Sequence, residues 1–240
     1  MNISALIALA VAPCVAIALF VYLKDTYEKE PLRLLAKLYL FGAAVTLPVG
    51  LLQAHLLSRG FGAGFELSSE ASRAFVTAGI FEEGAKLAVV LLVAYRSAAF
   101  NEPFDGIVYA TMASMGFATA ENILYVVQGG MSVGLVRMFT AVPAHGTFGV
   151  VMGYYIGRSK FHNGKVILIA AGYFGAAALH GTYDFFLMVN DYPFLAIGGL
   201  FSLVGGIAIA FRAMKESSRV SPFRKSLLDK SPTSSLDDPL

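Results

Sequence analysis

Residues 3–23 read ISALIALAVAPCVAIALFVYL, a run with no Asp, Glu, Lys, Arg or His. A helix needs about 20 mostly apolar residues to cross the hydrocarbon of a bilayer, and this run supplies them before Lys24 ends it. The rest of the chain follows the same rule. Of 240 residues, 57% are hydrophobic and only 14% charged, with a mean hydropathy of +0.67. Soluble domains carry roughly a quarter charged residues, so an ordinary soluble domain, a disordered chain and a nucleic-acid binder are all excluded. The apolar segments are long and continuous rather than ten-residue alternations, which argues against a β-barrel. One cysteine, Cys14, excludes a disulfide framework and a Cys-rich metal knuckle. The fold class expected is an all-α polytopic membrane bundle.

Seven spans are expected: 3–23, 34–57, 74–95, 106–127, 133–157, 166–189 and 194–211. The first has no basic n-region and runs past any cleavage-like site, so it reads as an uncleaved helix rather than a secretory signal. Basic residues set the orientation. Thirteen fall on one side (Lys24, Lys29, Arg33, Arg96, Arg158, Lys160, Lys165, Arg212, Lys215, Arg219, Arg224, Lys225, Lys230) and three on the other (Arg59, Arg73, Arg137). This predicts an outside N-terminus and a cytoplasmic C-terminus. A transmembrane domain over residues 1–214 would then be followed by a polar Ser/Pro/Lys-rich tail over 215–240, expected to be disordered.

The functional information lies in ionisable groups inside the spans, each costing at least about 2.5–3.5 kcal/mol to insert. The third span carries Glu82, Glu83 and Lys86, the fourth Glu121 and Asn122, the fifth His145 two residues after Pro143, and the sixth His180 and Asp184. With alternating helix directions and 1.5 Å per residue, these groups fall on the order of 8–18 Å below the outer surface, in one slab. His180 and Asp184, and Glu82 and Lys86, are four apart and share a helix face. Glu83 lies about 100° round from Glu82, so the two carboxylates can do different work. Pro143 is expected to disturb its helix one turn back. Asp105, beside Glu102 and Pro103, reads either as a helix-start acid or as a supporting member of the site.

This set suits water activated by a carboxylate, with histidines to stabilise or protonate. No Gly-x-Ser-x-Gly elbow, P-loop or Rossmann fingerprint is present. A proton- or cation-coupled transporter would use the same residue types, though no inverted repeat is visible. A non-catalytic membrane scaffold is the third class.

Three stretches, in this order on successive spans, resemble the PrsW intramembrane proteases, which belong with the CAAX-prenyl endopeptidases and bacteriocin-immunity membrane proteases. They are Phe81-Glu82-Glu83-Gly84-Ala85-Lys86, then Asp105-Gly106 leading to Phe117-x-x-x-Glu121-Asn122, then His180-x-x-x-Asp184. His145 after Pro143 and the juxtamembrane run from Tyr22 to Pro31 also fit, and the likeness extends from about Val21 to Val189. The juxtamembrane stretch reads Glu-Lys-Glu-Pro where relatives often have Glu-Pro-Glu-Pro. Against the wider clan, Glu121 stands where a His is usual and Asp184 where an Asn is usual. The resemblance implies a multi-pass protease of a bacterial cytoplasmic membrane that acts on a membrane-anchored protein, with site-1 cleavage of an anti-sigma factor as the associated role. It places Glu82 and Glu83 at the catalytic carboxylates, with Glu121, His145, His180 and Asp184 around them. The cut is expected near the extracytoplasmic surface, and the partners are the lipid bilayer and a protein substrate.

Glu82 is the expected base, Glu83 helps bind or orient, and Lys86 offsets their charge. Four carboxylates against one Lys and two imidazoles leave negative charge that is costly in low dielectric. Two His and a carboxylate form a recognised catalytic zinc set. A divalent metal such as zinc is therefore expected on Glu121, His145 and His180, with Asp184 as a ligand or as the partner that fixes an imidazole. In the metal-free alternative Glu82 activates water and the histidines stabilise the oxyanion.

Overall fold

The computed structural model of the chain describes residues 3–64, 66–189 and 193–224. Among the described residues the architecture is a helical bundle. Its elements are α1 (Ile3–Lys24), α2 (Leu32–Ser58), a short α3 (Leu67–Ala71) running into a π-wound segment (Ser72–Glu82), then α4 (Glu83–Val93), α5 (Pro103–Phe139), α6 (Ala141–Phe161), α7 (Lys165–Met188) and α8 (Ala196–Arg219). Large apolar side chains such as Leu47, Leu51, Leu92, Val166, Ile167 and Phe201 stand exposed on its outside. Such a surface is stable only against lipid, which makes the chain a multi-pass membrane protein.

Among the described residues, four helices are long and apolar enough to cross a membrane: α1, α2, α7 and α8. The bent pair α5 and α6, 40° apart, makes a fifth if taken as one span. The expected third span falls on the π-wound segment and α4, and the expected fourth and fifth on α5 and α6. These segments carry the buried charges, and the π-wound segment and α4, eleven residues each, are individually too short to cross. The chain turns between the fourth and fifth expected spans at Gly130, whose φ of 72° is open to glycine without a Cβ clash. Pro143 differs from expectation. It is the third residue of α6 and so sits in the first turn, where its missing N–H leaves no intrahelical bond unmade. The tail expected from residue 215 is helical as far as Arg219, and its disorder concerns residues 225–240, which lie outside the described residues.

Helix α5 is the axis of the bundle. Every residue from Glu102 to Thr119 is buried, with α1, α2 and α6 packed round it. Small residues permit that contact: a Cβ on Gly106 would come within 2.5 Å of the Gly153 carbonyl oxygen and the Gly157 nitrogen of α6. This packing brings Glu121 of α5, His145 of α6, His180 of α7 and the start of α4 to one level.

Candidate active site

The site begins where the winding changes. Glu82 ends the π-wound segment and Glu83 opens α4. Widened turns leave backbone carbonyls poorly satisfied, and here side chains answer them. Thr77 Oγ1 donates to the Arg73 carbonyl (2.5 Å), Gln53 Nε2 of α2 to the Thr77 carbonyl (2.9 Å), and the Tyr173 hydroxyl of α7 to the Ile80 carbonyl (2.9 Å). Such segments concentrate at functional sites.

The two adjacent carboxylates have different surroundings. Glu83 is fully buried, and its Oε1 accepts from Lys86 Nζ (2.6 Å) and His180 Nδ1 (2.8 Å). Glu82 has its Oε1 held by Gln53 Nε2 (3.1 Å), while its buried Oε2 has no hydrogen-bond partner. That free oxygen lies 4.0 Å from His180 Nε2 and 3.7 Å from Lys86 Nζ. With Nδ1 of His180 donating to Glu83, its Nε2 is the nitrogen left to take a metal or a second proton. The ring stacks on Phe148 at 4.6 Å between centroids, and Asp184 Oδ2 lies 3.4 Å from the same Nε2.

His145 completes the group. Its Nδ1 is 3.1 Å from Lys86 Nζ, its Nε2 is 2.9 Å from Glu121 Oε2, and its ring centroid is 5.0 Å from that of His180. Lys86 donates, so Nδ1 accepts and Nε2 bears the proton directed at Glu121. Lys86 also sits over the Phe117 ring at 4.4 Å. One ligand atom each from Glu82, His145 and His180 lies within 4.8 Å of the other two, all three residues being buried.

Most of the expected residues therefore come together: Glu82, Glu83, Lys86, Glu121, His145, His180 and Asp184. The grouping differs in one respect. Glu82, expected as the base, is the carboxylate that stands with the two histidines, whereas Glu121 is held by Arg137 Nη2 (2.8 Å) and His145. Asn122 enters only through its Oδ1, which accepts from Arg137 Nε at 2.6 Å. Asp105 is elsewhere. It lies sixteen residues before Glu121 on α5, on the order of 24 Å away, where its Oδ2 accepts the N–H groups of Asn101 (2.7 Å) and Glu102 (2.8 Å) and starts the helix.

Sequence reading missed Gln53 and misjudged Arg137. A glutamine amid the apolar residues of the second span was the available signal for Gln53. Arg137 counted as an outer flank, but it is a site residue whose side chain is 14% exposed. With it, four carboxylates (Glu82, Glu83, Glu121, Asp184) face two cations (Lys86, Arg137). With both histidines neutral, the balance is two negative charges, which a divalent cation would neutralise. A cavity of ≈ 240 Å³ lined by Glu121, Arg137, His145, Phe148, His180 and Asp184, among others, opens onto the group. A second, of ≈ 270 Å³, reaches Glu82 and Glu121 past Gln53 and Tyr125.

Buried carboxylates and imidazoles converging beside two cavities large enough for several waters in a membrane bundle define an intramembrane hydrolase or an ion-coupled carrier. Comparison with known proteins separates the two. The family model of the PrsW family intramembrane metalloproteases matches residues 30–214. Protease PrsW of Geobacillus kaustophilus (strain HTA426) is 38% identical over 187 residues, 78% of this chain and 81% of that protein. Protease PrsW of Halalkalibacterium halodurans is 36% identical over 202 residues, 83% of this chain and 91% of the relative. Protease PrsW of Bacillus subtilis (strain 168) is 35% identical over 185 residues, covering 76% and 83%. No solved structure matches the chain. The chain belongs to the PrsW family: it is an intramembrane protease of the metalloprotease type. The transporter and scaffold readings fall away.

Proposed function

We propose that this protease hydrolyses a peptide bond of a membrane-anchored protein close to the extracytoplasmic face of a bacterial cytoplasmic membrane, as in site-1 cleavage of an anti-sigma factor. The reading includes seven spans, an outside N-terminus and a cytoplasmic C-terminus. It is supported by the buried group of Glu82, His145 and His180, ligand atoms within 4.8 Å of one another, with one Glu82 oxygen free of any hydrogen bond.

A metal fits these residues. The donor set is one carboxylate and two imidazoles, and the unpartnered Glu82 Oε2 is a buried acceptor of the kind a cation would satisfy. Glu82, His145 and His180 would hold it, one His145 nitrogen giving up its bond from Lys86 or its proton toward Glu121 to do so, and zinc is the ion whose chemistry suits the set. When bound, a divalent metal supplies an acidified water and polarises the scissile carbonyl.

The chain's own groups do the rest. Glu83 holds His180 by Nδ1 and so presents Nε2 inward. Lys86 offsets the charge of the carboxylate pair. Glu121 already accepts from Arg137 and His145. Asp184 lines the same cavity and forms no ion pair with Lys or Arg among the described residues, so it is the carboxylate that takes the proton of the attacking water. Phe148 and Phe117 keep the histidines and Lys86 in an apolar setting where these charges act strongly.

The test is incubation of purified protein with candidate single-pass membrane proteins, wild type beside Glu82→Gln. Cleavage on the extracytoplasmic side of the substrate's span by the wild type alone is expected. A cut on the cytoplasmic side, or a cytoplasm-only reporter fused after Leu240 that stays silent, would overturn the placement.

A further inference from the structure

The other end of α5 carries a second group of buried acids that the peptidase reaction does not use. Asp25 follows α1, Glu30 precedes α2, and Glu102 and Asp105 start α5. All four side chains are buried. Carboxylate oxygens of Asp25, Glu102 and Asp105 lie within 4.8 Å of one another. A helix start favours acids, and that explains Asp105 Oδ2, which accepts two backbone N–H groups. It does not explain Asp25, which lies in the loop after α1. Asp25 is 1% exposed, and neither of its carboxylate oxygens has a hydrogen-bond partner. Oδ1 of Asp105 is unpartnered too.

The nearby cations do not answer these charges. Lys29 Nζ donates to the carbonyls of Tyr22 (2.7 Å), Leu23 (3.3 Å) and Asp25. Lys160 Nζ donates to the carbonyls of Tyr95 (2.8 Å) and Ser97 (3.1 Å). Among the described residues no Lys or Arg forms an ion pair with Asp25, Glu30, Glu102 or Asp105. Burial, with Glu102 and Asp105 adding repulsion, pushes the Asp25 carboxyl up to about 7. The loop around the group is nevertheless pinned in place. Tyr109 donates its hydroxyl to Glu30 Oε2, and Asn101 Nδ2 donates to Glu28 Oε2 at 2.9 Å. The chain thus draws buried acids from two loops together and leaves both oxygens of Asp25, both of Glu102 and Oδ1 of Asp105 without a hydrogen-bond partner.

We propose that Asp25, Glu102 and Asp105, with Glu30 beside them, form a second cation site, separate from the Glu82–His145–His180 group, for a hard divalent cation, Ca²⁺ or Mg²⁺. The donors are all oxygen, with no imidazole or thiolate, which selects hard cations over zinc. Asp25 with both oxygens and Asp105 and Glu102 with at least one each supply a partial shell that water and Glu30 would complete. The bound ion ties the loop after α1 to the start of α5, the helix that also positions Glu121.

The test uses the full chain in detergent, stripped with a chelator, with Ca²⁺ and Mg²⁺ titrated in separate arms while binding and thermal unfolding are followed. Wild type and His180→Ala are expected to bind one hard cation saturably and to unfold at higher temperature with it. Asp25→Asn is expected to bind about tenfold or more weakly and to lose the cation-dependent shift. Glu102→Gln serves as the second variant should Asp25→Asn not fold. The arm that gives the tighter binding identifies the ion. Absence of saturable binding of either ion by the wild type overturns the site and leaves the acids sharing protons. Binding that survives Asp25→Asn but is lost in His180→Ala overturns it too, because the ion then belongs to the peptidase centre.

Discussion

His180 donates from Nδ1 to Glu83 Oε1 at 2.8 Å, and this one bond turns its Nε2 toward the free oxygen of Glu82. Two adjacent carboxylates thereby separate into a holder and a reactor. Glu82→Gln removes the reacting charge and is expected to abolish measurable cleavage. Glu83→Gln keeps an acceptor for His180 Nδ1 and is expected to lower kcat about 10–100-fold. Steady-state kinetics on a single-pass substrate distinguish them. Equal, complete loss in both would remove the division of labour.

Asp184→Asn tests the proton acceptor. Loss of a general base costs about 10²–10⁴-fold in rate. The expected result is a drop of that size in kcat with KM nearly unchanged and metal content retained. Loss of metal in this variant would make Asp184 a ligand instead.

Gln53 touches Glu82 from a helix that contributes no other side chain to its hydrogen bonding. Gln53→Leu is expected to lower activity about 10–100-fold through a misplaced Glu82 while the protein stays folded. Gln53→Glu should be worse, since it sets a like charge against Glu82. Wild-type rates in Gln53→Leu would show that the contact is idle.

Arg137 pairs with Glu121 where both side chains are mostly buried, 14% and 18% exposed. Arg137→Gln leaves a carboxylate without its cation and is expected to destabilise the protein by about 2–3 kcal/mol. The double variant Arg137→Gln, Glu121→Gln should recover most of that loss. Thermal unfolding in detergent measures both, and a double variant no better than the single would mean that the pair is not what stabilises this region.

Gly106→Val places a branched side chain against the α6 backbone at Gly153 and Gly157. Overpacking costs roughly 1–3 kcal/mol, and more where backbone must move. Reduced thermal stability and reduced cleavage together are expected, since α5 and α6 carry Glu121 and His145. Unchanged stability would contradict the close approach.

Much of this was legible before the fold was known, and the reason is local. Glu82 and Lys86, like His180 and Asp184, sit one helical turn apart, so their proximity is written in spacing. His145 and Glu121 belong to different helices, yet the expense of burying either pointed to a common polar layer. What spacing does not encode is which carboxylate stands with the histidines. That depends on the π-wound segment, whose carbonyls are satisfied by Gln53 and Tyr173 from other helices, a tertiary arrangement without local signature. Arg137 was misjudged for a similar reason: a basic residue near an expected loop counts as a flank until a partner such as Glu121 is found behind it. Asp105 kept its helix-start role and lost its place in the site, because a position sixteen residues back on one helix is remote however suggestive its motif.

The central claim is that Glu82, His145 and His180 hold a catalytic metal. Elemental analysis of fully active protein, purified without chelators and measured beside Glu82→Gln and His180→Ala, tests it most directly. The account predicts about one transition-metal ion per wild-type chain and a large loss in both variants, with cleavage lost in step. Wild-type protein that cleaves at full rate with almost no transition metal would contradict it.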